Sequence, residues 1–213
     1  MLLDADIRDP LFYYLESVYG KIRVLEEKVI GRARADFFMI TENAFYGIEI
    51  KSDADTYARL KGQVREYDKY YDYNIAAVGA SHLKHIHEHI PKYWGIIAIE
   101  EAEGRPVFSL VRQPQKNHKV KLVNKLGFLW RPELVQIQAM NDMPRYKEKS
   151  KAFVIKAIAD RTQYPLDKKG HIDEAELMYQ VCDVLFERDY TLIAETMTRY
   201  KLENKKKVKK TKK

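Results

Sequence analysis

The first third of the chain alternates between two spacings of apolar residues. Steps of three and four predict a helix over residues 6–19, with Ile7, Leu11, Leu15 and Val18 on one face. The segments KIRVLEEKVI, ARADFFMI and YGIEIK then read as strands, separated by Gly31 and by a turn at TENA. One helix followed by three strands is therefore expected.

A helical spacing returns over residues 56–72, and a run of acidic and hydroxyl residues before it offers N-cap candidates, namely Ser52, Asp53, Asp55 and Thr56. The apolar segment NIAAVGA predicts a buried strand, and SHLKHIHEHI predicts a helix that Pro91 ends. Two further strands are expected at YWGIIAIE and PVFSLVRQ. The predicted order is α, β, β, β, α, β, α, β, β.

The pattern changes after Gln113. QPQKNHK reads as a linker, and residues 131–203 read as helices interrupted at Pro144 and at QYPLDKKG. We expect an α/β (α+β) protein whose residues 1–113 form an αβββαβ core around a central mixed sheet. Residues 114–203 are expected to form an all-helical module, and residues 204–213 a disordered lysine-rich tail.

Composition is typical of a folded protein, with 46% hydrophobic and 12% aromatic residues among 213. The net charge of +7 equals the seven lysines between Lys205 and Lys213, so the rest of the chain is formally neutral. The single cysteine, Cys182, excludes an internal disulfide. No secretory signal and no membrane span are expected, and we predict a cytoplasmic protein.

Candidate chemistry lies in the second and third strands. Glu49 and Lys51 share one face of a strand, whereas Ile48 and Ile50 share the other. If the TENA turn makes these two strands a hairpin, Asp36 arrives beside Glu49. Alone, a Glu-x-Lys pair is typical of a solvent-facing strand. Two carboxylates with a backbone carbonyl, however, would suit Mg²⁺ or Mn²⁺, and a nearby lysine would suit metal-assisted phosphodiester hydrolysis.

These residues resemble the signature of the PD-(D/E)XK nuclease superfamily, in which an Asp on the second strand precedes (Asp/Glu)-x-Lys on the third. Here Ala35 stands where the usual proline would be, before Asp36. Gln63 and Tyr67 in QVREY match the Gln-x-x-x-Tyr motif of the RecB and lambda-exonuclease branches. Over residues 4–97, DADIRDPL, EIKSDADTYARL and IPKYWGI are similar to an uncharacterised bacterial and phage family of nuclease-like proteins.

The resemblance implies a restriction-endonuclease-like core and assigns roles. Asp36, Glu49 and the Ile50 carbonyl would hold the metal, and Lys51 would orient the attacking water. Gln63 and Tyr67 would support the site or contact the phosphate backbone. Glu16 on the first helix is the candidate for an additional acid, with Glu27 as its competitor, and Arg34 and Arg59 would neutralise DNA phosphates.

Three functions stay open at this point. The first is a Mg²⁺- or Mn²⁺-dependent deoxyribonuclease of bacterial or phage origin, expected to be endonucleolytic and able to act as a homodimer. The second is a catalytically silent DNA-binding or regulatory protein with a nuclease fold. The third is an interaction protein whose helical half matters most. The fold alone does not choose between junction resolvase, restriction-type endonuclease and exonuclease.

Overall fold

The computed structural model describes residues 2–189, in which six strands form one mixed sheet in sequence order. The strands are β1 (Arg23–Ile30), β2 (Ala33–Ile40), β3 (Phe45–Lys51), β4 (Tyr73–Gly79), β5 (Gly95–Ala102) and β6 (Arg105–Arg112). Strands β3, β4 and β5 are parallel to one another, and the other neighbouring pairs are antiparallel.

Eight helices accompany the sheet within the described residues. They are α1 (Asp4–Tyr19), α2 (Leu60–Tyr70), α3 (Ala80–Leu83), α4 (Ile86–His89), α5 (Leu122–Leu126), α6 (Arg131–Met140), α7 (Lys151–Thr162) and α8 (Glu174–Phe186). The predicted fold class, an αβββαβ core with a mixed sheet followed by helices, is confirmed.

Each face of the sheet has its own buried cluster. The apolar stripe of α1 packs on one face, where Ile7 and Leu11 join Ile48 and Ile50 of β3. The opposite face is covered by α2 and the C-terminal helices. Because Glu49 and Lys51 alternate with Ile48 and Ile50, they lie on the face under α2.

The C-terminal helices share the core of that second face. The Phe128 ring, just after α5, lies 4.5 Å from the Phe38 ring and 5.8 Å from the Phe45 ring between centroids. The same buried cluster continues to Leu177 and Val181 of α8. The change from strands to helices falls after β6, and the division into separate domains stays a prediction.

Two predicted helices differ from the structure. Helix α2 begins at Leu60 rather than near residue 56, and its N-cap, Arg59, makes no side-chain capping bond. The expected caps serve the preceding loop instead, since Asp55 accepts from the Ser52 N–H and Asp53 accepts from the Ser81 N–H. The segment predicted as one helix before Pro91 forms the two short helices α3 and α4.

Part of the prediction falls outside the described residues. The lysine-rich tail and the last predicted helical stretch, residues 190–213, are among them. Within residues 2–189 no helix combines the length and apolar character that crossing a bilayer requires.

Candidate functional site

Strands β2 and β3 separate at the candidate site. Their ladder ends at Phe37↔Ile48, and continuing its register by one step places Asp36 opposite Glu49. Strand β3 runs on to Lys51 with β4 as its partner on the other side. The Asp36 carboxylate bridges the opening, because its Oδ2 accepts a hydrogen bond of 2.8 Å from the Ile50 N–H. Asp36 and Glu49 therefore lie one step beyond the last pair of the ladder, and both contact the Tyr67 hydroxyl.

The neighbouring backbone is irregular at the same level. Glu27, opposite Asp36 in the β1–β2 register, has a φ of 53°, in the left-handed region that residues other than glycine rarely adopt. Leu25 and Ile30 contact the same buried cluster although they are five positions apart on the strand. A regular strand would send them to opposite faces. The irregular backbone at Glu27 thus changes which face of the sheet the side chains of β1 point to, beside the site.

Glu49 is 1% exposed and is surrounded by donors. Its Oε1 accepts from Lys51 Nζ at 2.6 Å and also from Gln63 Nε2. Its Oε2 accepts from the Tyr67 hydroxyl at 2.7 Å. The four-residue spacing of Gln63 and Tyr67 puts both on the face of α2 that covers β3. These contacts fix the orientation of the carboxylate and supply the compensation that a buried charge needs.

The Tyr67 hydroxyl also connects the two carboxylate positions. It lies 3.3 Å from the Asp36 amide nitrogen, which donates to it, while it donates to Glu49. Burial, together with the charges of Glu49 and Asp36, raises the pKa of Tyr67 well above its ordinary value. Tyr67 therefore stays a neutral donor that ties β2 to Glu49.

Asp36 carries the clearest electrostatic perturbation of the site. Burial and the neighbouring charge of Glu49 raise its pKa from 3.8 to about 7, against the opposing effect of the Ile50 N–H and of Lys51. Burial and a nearby negative charge both raise the cost of ionising the Asp36 carboxyl group. A perturbation of this kind marks a candidate functional group.

Arg8 is the residue that sequence reasoning missed as part of the site. From α1 its guanidinium donates to Asp4 at 2.6 Å and to Glu27 at 2.7 Å, and it reaches to 3.9 Å from Asp36 Oδ1. The signal was present, since Asp4 and Arg8 are four apart in DADIRDPL, a segment already used for the resemblance. That segment did not indicate which strand Arg8 would face.

An open cleft of about 970 Å³ contains these groups. It is lined by Asp36, Glu49, Ile50, Lys51 and Gln63, together with Arg8, Glu27 and four exposed arginines: Arg32, Arg34, Arg59 and Arg65. Arg34 and Arg59, both predicted to contact phosphate, thus lie at its rim. Arg34 also forms an ion pair with Glu27.

Glu16 does not join this group. It is exposed on α1 and is absent from the residues that line the cleft. The helix approaches the site through its first two turns, where Asp4 and Arg8 lie, whereas Glu16 belongs to its last turn. Its competitor, Glu27, does line the cleft.

The cleft offers oxygen ligands for a divalent cation. Within residues 2–189 no group of three or more His, Cys, Asp or Glu side chains is arranged to hold a metal. Asp36 and Glu49 are instead two side-chain oxygen donors, which suits Mg²⁺ because it keeps several waters. Gln63 Oε1 is buried with no partner among the described atoms, so an acceptor beside Glu49 is open to a coordinated water. The donor chemistry therefore fits Mg²⁺ or Mn²⁺.

Comparison with known proteins identifies the family. Residues 14–197 match the family described as bacteriophage P4 protein cII, and because this is most of the chain, the protein belongs to that family. No curated protein matches the chain significantly. Among solved structures, the chain is similar to Pyrococcus furiosus SfsA in complex with Ca²⁺, with 13% identity and a TM-score of 0.29. The similarity covers 54% of this chain and 60% of SfsA, and at this level it does not establish a shared fold.

Proposed function

We propose that this chain is a Mg²⁺- or Mn²⁺-dependent nuclease of the PD-(D/E)XK superfamily that hydrolyses phosphodiester bonds in DNA, with endonucleolytic cleavage. The observation that supports it is the meeting of Asp36, Glu49 and Lys51 where β2 and β3 separate. The two carboxylates, Asp36 and Glu49, match the metal ligands that phosphodiester hydrolysis needs, and the Lys51 ammonium supplies a positive charge beside them.

Each side chain has a role that follows from its contacts. Asp36, Glu49 and the Ile50 carbonyl would hold the cation, which when bound polarises the phosphoryl group and lowers the pKa of a coordinated water. Lys51, donating to Glu49 at 2.6 Å, would place its ammonium beside the attacking water and the developing phosphate charge. Gln63 and Tyr67 act as positioning residues, since both bond Glu49.

The exposed arginines around the cleft would form the surface that binds DNA. Arg32, Arg59 and Arg65 are exposed and form no ion pair with another described residue, so their charges are available to phosphates. Arginine suits this task because its planar guanidinium bonds phosphate through two N–H groups. A homodimer that presents two clefts would allow paired cuts in duplex DNA, and this too is part of the proposal.

A second function is favoured by the three hydrogen bonds that Glu49 already accepts. Both oxygens of Glu49 are already engaged, by Lys51 and Gln63 on one side and by Tyr67 on the other. A site closed in this way would suit a DNA-binding or regulatory protein that does not cleave. Carboxylate oxygens can accept more than one bond, however, so these contacts leave room for a cation.

A cleavage assay separates the two functions. The full chain is incubated with linear, circular, single-stranded and branched DNA in Mg²⁺, in Mn²⁺ and in EDTA. Glu49→Gln is tested beside Glu42→Gln, an exposed glutamate of the β2–β3 turn. Metal-dependent cleavage by the wild type and Glu42→Gln but not by Glu49→Gln supports the nuclease. Binding without cleavage of any substrate supports the silent protein.

Metal binding is tested without catalysis. Calorimetric titration of Mn²⁺ into the wild type should give a binding isotherm that Asp36→Asn weakens. An isotherm unchanged in Asp36→Asn contradicts the ligand assignment, whatever the cleavage assay gives.

A further inference from the structure

A second pocket lies next to the cleft and shares the lining residue Val29 with it. It has a volume of about 320 Å³ and is lined by Lys28 and Val29 of β1, by Tyr70 at the end of α2, and by Phe128, Trp130 and Lys151 among the C-terminal residues. The pocket therefore combines two lysines with three aromatic side chains, contributed by segments far apart in sequence.

The two lysines are held in place. Lys28 Nζ lies 5.6 Å from the centroid of the Phe128 ring, and its stem is half-buried. Lys151 Nζ donates to the Gly127 carbonyl at 2.8 Å. Such contacts restrict long side chains that are otherwise mobile on a surface, and so lower the entropy cost of binding a ligand.

Neither ammonium has an acid partner. In the part of the chain that the structure describes, no carboxylate lies within ion-pair distance of Lys28 or Lys151. Glu133, the acid whose charge acts on both, is already bonded by Arg188 at 2.6 Å. Burial and the charge of Arg188 lower the pKa of both lysines. A positive cluster of this kind is stabilised when an anion enters.

The pocket adjoins the cleft. Val29, which is 68% exposed, lines both cavities. A polymeric ligand that leaves the cleft along β1 would therefore pass over Val29 and reach Lys28. An isolated small anion would need only the pocket. A polynucleotide is the phosphate ligand that can occupy the two cavities together, since its backbone repeats a phosphate at every nucleotide.

Resting on the proposed nuclease function, we infer that Lys28 and Lys151 form a second phosphate-binding site that holds the DNA backbone outside the cleft. The substrate class is therefore polymeric DNA that extends beyond the scissile phosphate, not a short phosphodiester. The rings of Tyr70 and Trp130, which also line the pocket, would add contact with a sugar or base.

The test measures binding in EDTA, so it does not depend on cleavage. Fluorescence anisotropy follows a long DNA and a short oligonucleotide that fills only the cleft, over a series of salt concentrations. Lys28→Gln/Lys151→Gln is compared with Lys84→Gln/Lys92→Gln, which removes two exposed lysines that line neither cavity. Glutamine keeps part of each stem, and thermal melting checks that each protein is folded.

We expect the pocket variant to weaken binding of long DNA and to reduce the slope of log affinity against log salt by about 1.4–1.8, about one phosphate per lysine. The control pair and all proteins on the short oligonucleotide should match the wild type. An unchanged slope in the folded pocket variant overturns the inference and leaves the nuclease proposal intact. If the slope falls but no protein cleaves DNA, the nuclease proposal fails while the phosphate site stands. Failure of the wild type to bind any DNA overturns both.

If the double variant does not fold, Lys151→Gln alone is measured in the same way. Lys151 is exposed at the start of α7, so its removal leaves the core untouched. The slope should then fall by the contribution of one neutralised phosphate, about 0.7–0.9. A slope equal to that of the wild type counts against the site.

Discussion

Lys51 donates a hydrogen bond of 2.6 Å to Glu49, its neighbour on the same face of β3, and both side chains are buried. A glutamate and a lysine two residues apart on a strand usually face water. Here α2 covers them, and Gln63 and Tyr67 from that helix complete the contacts of the carboxylate. The pair is therefore a buried ion pair, and burying it costs desolvation free energy. A role in function would account for a buried ion pair at this position.

Replacing Lys51 should separate catalysis from binding. Lys51→Met keeps most of the stem but removes the ammonium beside Glu49, so we expect DNA cleavage to fall by about 100-fold or more. DNA affinity should change little, because the rim arginines are intact. Single-turnover cleavage and anisotropy measure the two quantities.

The matched control is Lys61→Met, which removes an exposed ammonium from α2. It should cleave at nearly the wild-type rate. Because Lys51→Met leaves a buried carboxylate with fewer donors, its melting temperature should also drop. A folded Lys51→Met that cleaves as fast as Lys61→Met would remove Lys51 from the site.

Two buried tyrosines near the end of α2 should respond differently to loss of the hydroxyl. Tyr67→Phe leaves Glu49 Oε2 and the Asp36 N–H without their partner, which should cost about 1–3 kcal/mol of stability. The Tyr71 hydroxyl is buried with no hydrogen-bond partner among the described atoms. Tyr71→Phe should therefore be neutral or stabilising.

Urea unfolding of both variants measures this difference, and Mn²⁺ titration adds a functional readout. Tyr67→Phe should bind Mn²⁺ more weakly, since Glu49 loses one of the bonds that orient it, whereas Tyr71→Phe should bind as the wild type does. Equal unfolding free energies for the two variants would show that the Tyr67 bonds contribute nothing measurable.

The sequence predicted those parts of the site that depend on local spacing. Alternation along β3 put Glu49 and Lys51 on one face, and the four-residue step in α2 put Gln63 beside Tyr67. Hairpin geometry then indicated that Asp36 would lie near Glu49, and in the structure the two residues lie one step beyond the last pair of the β2–β3 ladder. Periodicity is informative here because each of these relations involves neighbouring elements.

Relations between distant elements were not predictable in this way. Arg8 contacts Glu27 from α1, a different element. Glu27 has a left-handed backbone conformation, but it is not a glycine, so its residue type did not indicate that conformation. The start of α2 was placed too early because Asp53 and Asp55 resemble N-caps, although their oxygens bond Ser81 and Ser52. A capping residue and a loop-fixing residue use the same short polar side chains, so composition does not separate them.

A glycine of β3 sets how closely α2 approaches the sheet. A Cβ on Gly47 would lie 2.2 Å from the Tyr71 ring and 2.6 Å from the Tyr67 ring, so Gly47→Ala must displace the helix or its rings. We expect a loss of about 1–3 kcal/mol of stability. Gly62, within α2, has nothing within 4 Å of the corresponding position.

Gly62→Ala should thus stabilise the protein by up to about 1 kcal/mol, the helix propensity of alanine over glycine. Chemical unfolding of the two variants gives opposite signs if this packing is correct. A Gly47→Ala protein as stable as Gly62→Ala would mean that α2 does not lie this close to β3.

The stability of the protein should depend on pH through Asp36. Its pKa is raised from 3.8 to about 7, first by burial and then by the charge of Glu49, so between these values the folded state binds more protons than the unfolded state. Stability therefore falls as pH rises through this window, and the cost of the buried charge is fully present above about pH 7. Asp36→Asn removes that cost, while the amide oxygen can still accept from the Ile50 N–H.

Without divalent cations, Asp36→Asn should therefore gain stability over the wild type as pH rises from about 5 to about 8. Asp53→Asn serves as the control of opposite sign, because hydrogen bonds from Ser81 lower the pKa of Asp53. Asp53 is ionised in both states across this range, so its variant should lose stability by an amount that does not change with pH. Urea unfolding at several pH values measures both profiles. A difference between Asp36→Asn and the wild type that stays constant with pH would contradict the raised pKa of Asp36.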